Sequence, residues 1–222
     1  LLARLLPVGT MSSTHGRLLV FDSTHVCGPG AKGGEWKVHF VLELASLSFL
    51  HVRLTNDKTT DSLDGFPLLP GDLVLADRAY SFAAPMQRAA ETGASLLLRY
   101  RTGGVKYHTK DGKPLCLGEL LPQGPVGTTF SLACHVVARP KQDAQTLPVT
   151  LHALKLPPEV AEARRRRYKR EGKKKGHTPR KETVILEDWM VLCTTLEGPA
   201  ATTERLMALY RARWQIEMAI KR

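Results

Sequence analysis

The stretch DLVLADRAY, residues 72–80, runs unbroken through apolar residues from Leu73 to Ala76 and then meets a carboxylate, Asp77. A strand covered on both faces reads as a continuous apolar run, whereas a half-exposed strand alternates. Downstream, SFAAPMQRAAETG (81–93) has helical spacing with a stop at Gly93, and SLLLRYR (95–101) returns as a strand. Upstream, RLLVFDSTHV (17–26) reads as a short apolar strand with Asp22 at its end. EWKVHFVLELA (35–45) alternates, with Trp36, Val38, Phe40, Leu42 and Leu44 expected on the buried face. FLHVRLT (49–55) alternates again through Leu50, Val52 and Leu54, and two strands so close in sequence are expected to pair antiparallel. The order is three strands, a connection punctuated by Pro and Gly, then strand, helix and strand.

From about residue 102 the texture changes. TGGVKYHTKDGKPLCLGELLPQGPVGTTF suits short antiparallel strands, and TFSLACHVVAR (129–139) and LPVTLHALKL (147–156) continue an all-β reading. Pro157 and Pro158 open a helix that carries a basic run and is expected to stop near Gly172. EDWMVLCTTL (187–196) reads as a strand, and 199–222 as a long final helix. The expected organisation is an α/β core formed by 1–96 and 185–222, interrupted by a β-rich insertion at 97–184.

Composition narrows the classes. The 222 residues suffice for one large domain or a domain with an insertion, and at 43% apolar content they can bury a core. No apolar run approaches the length needed to span a membrane, and LLARLLPVGT is too short for a signal peptide. The four cysteines are scattered without a C-x-x-C pair, so reduced, buried thiols are expected. The eight histidines form no H-E-x-x-H pattern, which argues against a nitrogen-and-sulfur metal site.

The formal charge of +11 is concentrated. Residues 164–181, RRRRYKREGKKKGHTPRK, hold eleven of the 32 Lys/Arg and one of the 21 Asp/Glu, leaving the rest of the chain close to neutral. Such a patch attracts a polyanion by releasing condensed counterions, and nucleic acid is the expected partner. Arg164, Arg165, Arg166, Arg167, Lys169, Arg170, Lys173, Lys174 and Lys175 are its candidate contacts.

The last stretch, LYRARWQIEMAIKR (209–222), aligns Tyr210, Arg213, Glu217 and Lys221 on one helical face. On a helix, a Glu between basic residues is far more often a surface ion pair than a catalytic acid. Asp22 and Asp77 alter that balance, because each follows an apolar strand where an open α/β sheet places its ligands. Charges there are costly unless paired or metal-bound. Three such carboxylates form a ligand set for the hard divalent cations of phosphodiester chemistry. Asp57, Asp61, Asp64, Asp72 and Asp188 are competing carboxylates of lower rank.

FDST (21–24), LADRAY (75–80) and YRARWQIE (210–217), in that order, resemble the three catalytic blocks of bacterial insertion-sequence transposases of the DDE type. The subgroup is the one with a Tyr-x-x-Arg-x-x-x-Glu-x-x-x-x-x-x-Lys signature, often called the insertion-sequence-four family. The resemblance implies a ribonuclease H-like mixed sheet flanked by helices, with a mostly-β subdomain inserted before the last catalytic helix. It assigns Asp22, Asp77 and Glu217 as catalytic carboxylates holding Mg²⁺ or Mn²⁺, with two ions expected, and Tyr210 and Arg213 as the signature's Tyr and Arg. The signature's Lys would fall at position 224, so Lys221 is a phosphate contact on the same face rather than that residue, and the catalytic helix is expected to be truncated. Trp189 matches a tryptophan used to stack a flipped base, Trp214 is a second stacking candidate, and Arg78 could neutralise phosphate beside Asp77.

The implied activity is metal-dependent cleavage at transposon ends followed by strand transfer to target DNA. The expected setting is the bacterial cytoplasm, at the nucleoid, without a membrane and as a possible homodimer on DNA. Two rival readings remain at this level: an inactive DNA-binding remnant, and a metal-dependent nuclease that performs no strand transfer.

Overall fold

A computed structural model describes residues 16–30, 33–137, 146–174, 176, 178, 180–199 and 201–220, with side chains in the last helix described through Arg213. In chain order the elements begin with strands β1 (Leu18–Val26), β2 (Trp36–Glu43), β3 (Ser48–Asn56) and β4 (Leu73–Ala76). A single 3-10 turn (Arg78–Tyr80), helix α1 (Ala83–Thr92) and β5 (Ser95–Arg99) follow. Then come β6 (Tyr107–His108), α2 (Leu117–Leu120), β7 (Thr129–Val137), β8 (Thr146–Lys155), α3 (Pro158–Lys174), α4 (Lys181–Leu186), β9 (Trp189–Thr194) and α5 (Thr203–Ile220).

The chain packs as two compact units. One holds the described residues up to Arg99 together with those from Ala208 onward, and the other holds Tyr100–Met207. In the first, the strands lie in the order β3-β2-β1-β4-β5, with β1, β2 and β3 antiparallel and β1, β4 and β5 parallel. This is a ribonuclease H-like mixed sheet, as expected. β4 has all four residues buried, and α1 connects it to β5, stopping where Gly93 takes the left-handed conformation at φ 70°. The second unit is mostly β: β9-β8-β7-β6 form an antiparallel sheet, with α2, α3 and α4 beside it.

Several local expectations are corrected. β1 does not end at Asp22 but runs on to Val26; what ends there is burial, which is complete from Leu18 to Phe21 and fades beyond. On β2, Phe40, Leu42 and the following Leu44 are buried as expected, but the alternation fails at its start and on β3. Lys37 and His39 are buried while Trp36 is 50% exposed, and Val52 and Leu54 on the edge strand β3 are about as open as Trp36. The alternation was visible, but Asp61 sits within the unit and draws the cationic side chain of Lys37 inward. α3 runs through Gly172 to Lys174, α4 was not anticipated, and residues 102–128 hold only β6 and α2. Cys134 and Cys193 are buried thiols, pushed up to about 11 and about 12 by burial, whereas Cys27 is exposed and Cys116 half-buried.

One carboxylate fixes how β1 and β4 line up. Asp72, buried at the start of β4, accepts hydrogen bonds from Arg17 N, Arg17 Nε and Arg17 Nη2 at 3.1, 3.1 and 2.7 Å, and from Leu69 N at 2.8 Å. Burial alone would push its carboxyl up, but the Arg17 and Leu69 donors outweigh that and hold it below the usual carboxylate range. Replacing Asp72 with Asn leaves Arg17 without its anion, and the unfolding free energy is expected to fall by about 3 kcal/mol. Because the folded pKa is depressed, this stabilisation is present above the unfolded carboxylate pKa and is lost as pH falls through the folded value. Thermal melts of wild type and Asp72→Asn should therefore be far apart at neutral pH and converge below about pH 4.

Candidate active site

The parallel register of β1 and β4 runs from Leu18↔Leu73 to Phe21↔Ala76, so Asp22 and Asp77 occupy the next rung. Side chains alternate along a strand, and both carboxylates therefore leave the face opposite to Phe21 and Ala76. Neighbouring strands lie about 4.8 Å apart, close enough for two carboxylates to share ligands. Asp77 is extended (φ −85°, ψ −168°) and caps the 3-10 turn: its Oδ1 accepts from Ala79 N at 2.7 Å, which fixes the direction of the carboxylate. Asp22 Oδ1 accepts from Ser23 N at 2.8 Å, and its Oδ2 lies 3.5 Å from Arg213 Nη1.

Among the described side chains of helix α5, Tyr210 and Arg213 reach this part of β1 and β4. Tyr210 is buried, and its hydroxyl donates to the carbonyl of Ala76, the residue before Asp77, at 3.2 Å. Burial raises its pKa against the opposing pull of Arg213 and Arg99, so the hydroxyl remains a donor. Arg213, 8% exposed, stacks over the Tyr210 ring at 5.5 Å and reaches Asp22. In the other unit, Thr203 at the start of α5 is buried with its hydroxyl 2.9 Å from His152 Nδ1, and burial lowers the His152 pKa.

Of the sequence candidates, Asp22, Asp77, Tyr210 and Arg213 are brought together around the middle of β1 and the end of β4. Glu217 falls on the backbone of α5 one helical turn beyond Arg213, and its side chain lies outside the described residues, as does that of Trp214. Lys221 and Lys175 lie outside them altogether. Among the described residues no group of three or more His, Cys, Asp or Glu is poised to hold a metal; Asp22 and Asp77 are the two of the three expected carboxylates whose side chains are described. Their hard oxygens suit Mg²⁺ or Mn²⁺. Arg78 is exposed in the turn that follows Asp77.

The basic helix separates into two sets. Arg164 Nε lies 2.9 Å from Glu187 Oε2 and its Nη1 donates to the Trp189 carbonyl at 2.9 Å, while Arg165 pairs with Asp188. These two hold α3 against the corner between α4 and β9. Arg166 and Arg167 are exposed but pair along the helix with Glu162 and Glu171. Lys169, Arg170, Lys173 and Lys174 are exposed and make no ion pair among the described residues. Trp189 is 3% exposed beneath Lys155, whose Nζ lies 5.8 Å from the ring centre, so in this arrangement it presents no open face to a base.

Of the competing carboxylates, Asp72 is bound by Arg17, Asp61 by Lys37 and Asp188 by Arg165. Each has a cationic partner that accounts for it. The sequence signal for the α3 anchor was the acidic pair Glu187–Asp188 directly before Trp189, opposite a run of arginines.

An α/β unit with two aspartates abreast on parallel strands, and a helix docked beside them through Tyr210 and Arg213, fits a transposase DDE domain. The chain belongs to that class: residues 13–222 match the family model described as "Transposase DDE domain". It is 29% identical over 210 residues, 93% of its length, to InsL for insertion sequence element IS186A and InsL for IS186B, both of Escherichia coli strain K12. The transposase for insertion sequence element IS421 of Escherichia coli matches at the same 29% identity. The chain spans 56% of the length of each of these relatives.

Removing the Tyr210 hydroxyl (Tyr210→Phe) is expected to cost about 1 kcal/mol in unfolding free energy, since the Ala76 carbonyl loses its donor. Arg164→Ala should cost more, about 2 kcal/mol, because Glu187 and the Trp189 carbonyl are both left without it. Arg170→Ala should lie within about 0.5 kcal/mol of wild type. Chemical denaturation of the three variants ranks them.

Proposed function

We propose that this chain is the catalytic domain of an insertion-sequence transposase of the Tyr-Arg-Glu-Lys group. It would cleave phosphodiesters at transposon ends and join the freed 3′-hydroxyl to target DNA. The observation that carries this reading is the register of β1 and β4, which sets Asp22 beside Asp77 where α5 docks. Asp22, Asp77 and Glu217 are the residues that would hold two Mg²⁺ or Mn²⁺ ions. Bound there, such ions supply a nucleophile at neutral pH and stabilise the departing oxygen.

The chain's own residues divide the remaining work. Ala79 N–H aims the Asp77 carboxylate, and Tyr210 pins α5 to β4 so that Glu217 follows one turn beyond Arg213. Arg213 offsets the charge of Asp22 and offers guanidinium donors to a DNA phosphate brought to the strand ends. The exposed cations of α3, chiefly Lys169, Arg170, Lys173 and Lys174, would track the DNA backbone without reading sequence. Among the described residues no helix is long and apolar enough to cross a membrane, and work on DNA would place the protein at the bacterial nucleoid. Assembly as a dimer on the two transposon ends belongs to the same reading.

The test is metal-dependent nicking of supercoiled plasmid by wild type and Asp77→Ala. The reading predicts nicking that requires Mg²⁺ or Mn²⁺ and falls at least about a hundredfold in the variant. Cleavage without joining of a cut donor end to target would favour a nuclease, and binding without cleavage would favour the remnant. For the basic face, replacing Lys169, Arg170, Lys173 and Lys174 with Ala should make the negative slope of log K against log salt shallower by about 3.6 units, whatever the DNA sequence. An unchanged slope in a filter-binding assay would remove α3 from the interface.

A further inference from the structure

Beside the carboxylate pair, the first unit buries a second polar cluster. Ser23 is the register partner of His39, so Lys37 and His39 lie on the sheet face that carries Phe21. Lys37 Nζ lies 2.7 Å from Asp61 Oδ2 and donates to the Thr59 carbonyl at 3.2 Å. His39 Nδ1 is 3.5 Å from Asp61 Oδ1, and its Nε2 is 2.9 Å from Thr55 Oγ1. All three residues are buried.

Tyr80 joins this neighbourhood from the catalytic turn. It is the last residue of the turn that Asp77 caps, it is 1% exposed, and its ring meets Phe21, the residue before Asp22, edge-on at 6.2 Å. Its hydroxyl, Asp61 Oδ1 and His39 Nδ1 are all buried and make no hydrogen bond to a described residue. Burial first, then the charges of Asp61, Asp22 and Asp77 in that order, raise the Tyr80 pKa and keep its proton in place. Buried polar atoms are almost always satisfied, and a group of orphans is met by an internal water with about three partners.

We propose that Tyr80 is a positioning residue for Asp77, its hydroxyl joined to Asp61 Oδ1 and His39 Nδ1 through one shared buried water. The link ties the turn after β4 to the pair that Lys37 of β2 makes with Asp61 of the β3–β4 connection, and so steadies the strand end that presents Asp77. The positioning role rests on the reading of Asp77 as a metal ligand; the water link does not.

The experiment is a double-mutant cycle in the full chain, Tyr80→Phe and Asp61→Asn singly and together, followed by thermal unfolding and by Mn²⁺ titration with electron paramagnetic resonance. His39→Gln takes the second place in the cycle should Asp61→Asn not fold. The proposal predicts that Tyr80→Phe melts below wild type, that the two effects are less than additive, and that the Mn²⁺ dissociation constant rises about tenfold. A Tyr80→Phe protein as stable as wild type or more so would overturn it, because deleting a hydroxyl that truly has no partner removes a desolvation cost. Additive effects would also overturn the link, and unchanged Mn²⁺ affinity would reduce Tyr80 to packing. If the wild type takes up no Mn²⁺, the metal-site reading fails and takes the positioning role with it, while the melting cycle still decides the water link.

Discussion

The site depends on the register between two parallel strands, and that register is held at the end remote from the chemistry. Asp72 takes three hydrogen bonds from Arg17 and one from Leu69 N, locking the start of β1 to the start of β4. Five residues further along each strand stand Asp22 and Asp77. Each step along a strand turns the side chain to the other face, so a slip of one residue would send one of these carboxylates to the wrong side. A buried ion pair is a weak source of net stability, but it is a strong way of specifying one alignment over its neighbours.

The rest of the first unit builds on that alignment. Among the described side chains of α5, Tyr210 meets the Ala76 carbonyl and Arg213 meets Asp22. Tyr210 reaches the backbone at the end of β4, whereas Arg213 reaches the Asp22 side chain within β1, where the burial of that strand begins to fade. The second unit uses charge in a different way. The arginines nearest the start of the basic run are consumed in fixing α3, and the cations further along the helix remain exposed. One run of like charges thus serves both folding and electrostatics.

Much of this was legible in the sequence because it rests on local pattern. The four-residue apolar run before Asp77 marked a doubly covered strand, Gly93 marked a helix stop, and helical spacing put Tyr210 and Arg213 on one face. What the sequence hid were pairings across long separations. Lys37 and His39 look like the solvent side of an alternating strand until Asp61, more than twenty residues away, is seen to lie against them. Asp72 ranked only as a competing carboxylate, because its partner Arg17 is 55 residues upstream. Arg164 and Arg165 looked like part of a polyanion-binding run because the acids that neutralise them lie beyond the end of the helix.

The central claim is that Asp22, Asp77 and Glu217 form one divalent-metal site beside β1 at the end of β4. Anomalous diffraction from crystals soaked in Mn²⁺ tests it most directly. The account predicts anomalous density between the Asp22 and Asp77 carboxylates, with Glu217 reaching it from α5. Density confined to other acidic groups, or none between the two aspartates at saturating Mn²⁺, would contradict it.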